Sequence, residues 1–135
     1  MRAIYVDTSV FLRACLSDAT GHDAALTLLT GSKPLVSSEL LWLEADRTAI
    51  RLAHENPILT ELPDQVTHAL KRLDMIPLTR AIINSARRLP QVVKSLDAIH
   101  IASAESLGAV LDYVATSDRA MITALQERGV AARLP

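Results

Sequence analysis

Short apolar runs alternate along the chain with longer stretches whose apolar positions recur at helical spacing. Ala3-Ile4-Tyr5-Val6 is the first run and closes on Asp7-Thr8-Ser9, so a buried strand is predicted there, followed by a helix capped by Thr8 or Ser9. His22 to Leu29 predicts a second helix stopped at Gly31, and Pro34-Leu35-Val36 a second strand. The longest helix is expected from Ser37 or Ser38 to about Glu55, with Ser38 as N-cap and Leu41 where a full capping box would need Glu. Asn56-Pro57 ends it. Pro63 to Leu73 predicts another helix, and Met75 to Leu78 a short or edge strand, because Pro77 cannot donate to a ladder. Thr79 caps a helix through Arg88, and Ser95 to Leu107 forms one that is apolar on nearly all sides and ends at Gly108. Ala109 to Ala115 is the next strand, expected to be buried on both faces despite Asp112. Thr116-Ser117-Asp118 then opens a helix through Gln126, and Gly129-Val130-Ala131 is a last short strand. The alternation predicts an α/β fold: three layers, α/β/α, around a short-stranded, mainly parallel sheet.

Composition narrows the class. The chain has 135 residues, half of them apolar and 21% charged, which suits one globular domain over residues 1–135 and argues against disorder. Cys15 is alone, so no intrachain disulfide forms, in keeping with a reducing cytoplasm. No secretion signal is legible, and no window offers the ~18 apolar residues of a membrane span. With 14 basic and 15 acidic residues the net charge is −1, so no global positive field draws in polyanions. Any nucleic-acid role then needs a local device. Eleven of the basic residues are Arg, suited to forked contacts with phosphate or carboxylate, although coding bias produces the same count.

The candidate chemistry is acidic. In open parallel sheets ligands bind beyond the carboxyl ends of the strands. Asp7 and Asp118 both stand there, each also a good helix N-cap, and they share one edge if their strands lie parallel and close. Asp97 heads the apolar helix, where its charge also suits the helix dipole. Glu44 lies inside the long helix, with Arg47 one turn away as an alternative partner. Two unit charges about 4 Å apart repel by roughly 4 kcal/mol at an effective dielectric of 20, so four clustered carboxylates make sense only around a cation. Oxygen donors without a Cys or His cluster suit Mg²⁺ or Mn²⁺.

These residues resemble the PIN-domain ribonucleases, in particular the VapC-type toxins of bacterial toxin–antitoxin pairs. The anchors are Ile4-Tyr5-Val6-Asp7-Thr8-Ser9, Val36 to Glu44, Leu96-Asp97-Ala98-Ile99-His100-Ile101-Ala102 and Ala115-Thr116-Ser117-Asp118-Arg119, in the family's order across the whole chain. The resemblance implies that Asp7, Glu44, Asp97 and Asp118 form a catalytic, metal-binding quartet, with Thr8 or Thr116 as the orienting hydroxyl. Glu39 is the nearest rival to Glu44. It further implies hydrolysis of RNA phosphodiesters to 5′-phosphate and 3′-hydroxyl ends with Mg²⁺ or Mn²⁺, a homodimer, and a small antitoxin lying in the active-site groove. Arg13, Arg47, Arg87, Arg88 and Arg119 are candidates for RNA or antitoxin contacts, or for a solvated face. Trp42, about 160° around the helix from Glu44, is either an antitoxin contact or core. His100 is expected to be a packed or hydrogen-bonded residue rather than a catalyst.

Two other functions stay open at this level. A DNA nuclease would keep the fold and the metal site, although no clamp or arch insertion fits in this length. A catalytically silent interaction module would leave four carboxylates without a purpose. A receiver-like phosphoryl-transfer domain would want a late Lys, and none follows Lys94.

Overall fold

Ala3–Val6 forms β1, the middle strand of a five-stranded sheet ordered β3-β2-β1-β4-β5, in which every neighbouring pair is parallel. The computed structural model describes all 135 residues. The other strands are β2 (Leu35–Ser38), β3 (Asp74–Ile76), β4 (Leu111–Ala115) and β5 (Ala132–Arg133). The helices are α1 (Thr8–Cys15), α2 (His22–Thr30), α3 (Glu39–Glu55), α4 (Leu62–Leu70), α5 (Arg80–Arg87), α6 (Ser95–Glu105) and α7 (Arg119–Glu127). Side chains alternate across β1: Ile4 and Val6 join a core with Phe11, Leu29, Leu41 and Val66 from the first four helices. Tyr5 points the other way, into a core with Ile101, Val114, Met121 and Leu125. Two apolar layers therefore grip one sheet, giving the expected three-layer α/β/α arrangement.

The chain visits β1, β2 and β3 in one direction and then returns past β1 to β4 and β5, so the strand order reverses between β1 and β4. That reversal opens a crevice at the carboxyl ends of these two strands, where Val6 pairs with Ala115. Several sequence expectations need local correction. Residues Gly108–Val110 form a 3-10 turn, so β4 begins at Leu111 and only Val114 and Ala115 are fully buried. Asp112 explains the half-buried start: it pairs with Arg2 and Lys33 at the sheet's rim. The last strand is Ala132–Arg133 rather than 129–131, because Gly129 at φ 73° terminates α7 and the next two residues turn the chain back beside β4. β3 runs Asp74–Ile76, stopping before Pro77. Both edge strands are very short, which leaves little template for unwanted strand addition.

Candidate active site

Asp7 follows β1 directly and is 3% exposed. Its Oδ1 accepts from the Val10 amide at 3.0 Å, which caps α1, and from Ser9 Oγ at 2.7 Å. Its Oδ2 accepts from Thr116 Oγ1, at the end of β4. Ser9 Oγ in turn accepts from the Ser117 amide, and Thr116 Oγ1 from the Asp118 amide. The Asp-Thr-Ser and Thr-Ser-Asp strand ends are thus stitched together across the β1–β4 crevice. Burial pushes the Asp7 carboxyl above the usual carboxylate range, against the pull of the Thr116, Ser9 and Val10 hydrogen bonds. Asp118 caps α7 by accepting from the Ala120 and Met121 amides through Oδ1. For both aspartates the capping role and the place at the strand-order reversal hold together.

Glu44 reaches toward the same edge from α3. Its Oε1 accepts from Thr8 Oγ1 at 2.6 Å and from His100 Nε2 at 2.8 Å. Burial raises its pKa, but the His100 and Thr8 hydrogen bonds and the nearby imidazole together outweigh that and hold it below the ordinary value. Arg47 takes no part. Glu39, the rival carboxylate, accepts from the Leu78 amide at 2.8 Å and so ties the start of α3 to the chain beyond β3.

Asp97, in the first turn of α6, is half-buried and accepts no side-chain hydrogen bond. Burial pushes it upward, and the charges of Asp118 and Asp7 add to the push, while His100 and Lys94 oppose it. Asp7, Asp97 and Asp118 therefore share one electrostatic neighbourhood. As the side chains stand, no three His, Cys, Asp or Glu groups converge on one point that an ion would occupy, and Glu44 is held by its own partners. The donors are all carboxylate or hydroxyl oxygens, and a divalent cation would relieve the push that Asp118 and Asp7 exert on Asp97. The donor set fits a hard ion such as Mg²⁺ or Mn²⁺.

A family model described as PIN domain matches residues 4–124, spanning all four acidic positions. The chain belongs to the PIN-domain family. It is 30% identical over 136 residues to Ribonuclease VapC47 of Mycobacterium tuberculosis (strain CDC 1551 / Oshkosh), covering 98% of this chain and 96% of that protein. It is 29% identical over 136 residues to Ribonuclease VapC46 of M. tuberculosis (strain ATCC 25618 / H37Rv), covering 100% and 99%. Among solved structures, VapBC2 from Rickettsia felis, bound to a DNA fragment from its promoter, superposes with a TM-score of 0.70 at 12% identity, covering 98% of each chain. M. tuberculosis VapC20, a sarcin-ricin loop cleaving toxin, gives 0.67 at 15% identity over 98% of this chain and 99% of the other. These likenesses make it a PIN domain of the VapC type.

Within this PIN domain the candidate arginines are dispersed. Arg13 stands in the last turn of α1 and packs against Gly21, whose φ of 79° a side chain would resist and where an added Cβ would lie 2.8 Å from the guanidinium. Arg47, Arg87, Arg88 and Arg119 are exposed, and Trp42 is 44% exposed on α3. A cleft of about 680 Å³ lies between α1, α2 and α4, lined in part by Cys15, Leu26, Leu29 and Ala69. It touches none of the four acids, and burial lifts the Cys15 thiol to about 11. Sequence reasoning missed the parts played by Ser9, Ser117 and Tyr5. Ser9 was legible only as a cap, although its hydroxyl links Asp7 to the Ser117 amide. Tyr5 carried a signal: alternation along β1 places it on the same side as α6.

Proposed function

We propose that this PIN domain is a divalent-metal-dependent endoribonuclease toxin of the VapC type. On this reading it is a single nuclease unit over residues 1–135, acting in the cytoplasm and restrained by a small cognate antitoxin. The observation that carries the proposal is that Asp7 and Asp118 follow the paired ends of β1 and β4, where the charges of both reach Asp97. Full-length similarity to proteins named as ribonucleases supports the substrate class, and the R. felis VapBC2 complex supports a protein partner. No helix is long and apolar enough to cross a membrane.

Asp7, Asp97 and Asp118, with Glu44, would hold one or two Mg²⁺ or Mn²⁺ ions. When bound, such an ion supplies a lowered pKa for an attacking water and a counter-charge for the phosphoryl oxygens. The protein's own contribution is orientation: Thr116 and Ser9 fix both oxygens of Asp7, and Thr8 fixes Glu44. Asp97 and Asp118 are half-buried, so a polymer lying on the surface could reach them. In-line hydrolysis there leaves a 5′-phosphate and a 3′-hydroxyl. With only 3% aromatic residues, base stacking offers little, so backbone and shape would dominate recognition. Arg47 and Arg119 are the exposed cations on acid-bearing helices available for RNA or antitoxin, and a homodimer is the expected assembly.

Purified protein is to be incubated with a mixed cellular RNA pool in Mg²⁺, in Mn²⁺ and in EDTA, beside folded Asp97→Asn. The expected outcome is a small set of cuts with 5′-phosphate ends, absent in EDTA and at least 100-fold weaker in the variant. Cleavage that persists in EDTA, or that Asp97→Asn leaves intact, would sink the proposal.

A further inference from the structure

One buried group remains outside that account. His100 is 3% exposed, one turn beyond Asp97 on α6, and both of its ring nitrogens are engaged. Nδ1 lies 2.6 Å from the Tyr5 hydroxyl, itself 0% exposed and set edge-on to the imidazole at 75°. Nε2 lies 2.8 Å from Glu44 Oε1 and 3.2 Å from Thr8 Oγ1. A carboxylate accepts only, so Nε2 donates to Glu44 Oε1, while Nδ1 is engaged by the Tyr5 hydroxyl. Both donors to Glu44 fall on Oε1, and Oε2 takes no protein hydrogen bond. We propose that His100 is a positioning residue for the reaction: held by Tyr5 on β1, it pins Glu44 Oε1 and so fixes the carboxylate that would help hold the ion. Through this one imidazole, β1, α3 and α6 register the two acids against each other. The inference rests on the functional reading above, in which Glu44 helps hold the ion.

The test is Mn²⁺ affinity by titration calorimetry, with RNA cleavage alongside, for wild type, His100→Leu, His100→Gln, Tyr5→Phe, Glu44→Gln and the His100→Leu/Glu44→Gln pair, each checked by circular dichroism. His100→Leu is expected to weaken Mn²⁺ about 10- to 100-fold, the usual effect of losing a residue that orients a ligand. His100→Gln, whose amide N–H reaches a similar place, keeps affinity within about 3-fold, and Tyr5→Phe falls between. In the Glu44→Gln background His100→Leu adds nothing further, because the contact is already gone. Equal losses in both backgrounds, or a His100→Gln as weak as His100→Leu, would overturn the positioning role while leaving the metal site intact. A wild type that binds no Mn²⁺ would bring down the functional reading and this inference with it. If His100→Leu does not fold, the Gln and Phe variants decide the matter by the same ordering.

Discussion

At the scale of single residues, the site sets function against stability. Asp7 carries a buried carboxylate whose proton the folded state holds more tightly than the unfolded chain does. Stability that is full below the ordinary aspartate range is therefore lost as pH rises through the elevated folded value. Asp7→Asn removes that loss: its Oδ1 still accepts from Ser9 and Val10, and its amide turns Thr116 from donor to acceptor. In EDTA at pH 8 the variant is expected to melt a few degrees above wild type, ~1 kcal/mol being worth about 4 °C at this size. The advantage vanishes below about pH 3.5. Thermal melts across pH check it, and a variant less stable than wild type at every pH would contradict it. Glu44 has the opposite sign: its hydrogen bonds favour the ionised form, so their stabilisation is present at neutral pH and lost as pH falls below about 4.3. Thr8→Val removes one of those bonds and is expected to cost about 1 kcal/mol at pH 7 and nothing measurable in strong acid, by urea titration.

At the scale of elements, strand ends and helix starts do double duty. Asp118→Ala removes the cap of α7 and should cost about 1 kcal/mol, whereas Asp118→Asn keeps an equally good cap and should leave stability unchanged. Both are expected to lose RNA cleavage; a fully active Asp118→Asn would reduce the residue to a cap. The same duality explains what was legible in the sequence. Ala-Ile-Tyr-Val followed by Asp-Thr-Ser marks a buried strand entering a helix, and the gap-free run from Ser38 to Glu55 marks α3, with Ser38 accepting from the Leu40 amide as a cap does. The start of β4 was illegible because Ala109 and Val110 are as apolar as a strand, and only the tight turn after Gly108 diverts them. The place of β5 was illegible because Val130 and Ala131 have strand character but are consumed in turning the chain. Partners were harder still. Nothing local says that Thr116 reaches Asp7 and Thr8 reaches Glu44, since these contacts span |i−j| of 109 and 36 and exist only once the strand order is known.

At the scale of the whole molecule, two cores share one sheet. Phe11 anchors the core under the first four helices and Leu125 the core under α6 and α7, both 0% exposed. Since β1 and β4 belong to both, Phe11→Ala and Leu125→Ala should each cost roughly 2–5 kcal/mol and unfold the molecule in one transition rather than two. Coincident far-ultraviolet and near-ultraviolet denaturation curves check this; separate midpoints would show the layers to be independent.

The junction of β1 with β4 also governs when the carboxylate edge can form during synthesis. Asp7 is synthesised 109 positions before its Oδ2 partner Thr116. Until that stretch has emerged, β1 lacks its β4 neighbour, Asp118 has no place to stand, and the carboxylate edge does not exist. The site is thus a late product of folding, assembled only once two segments 109 positions apart are both free to pair.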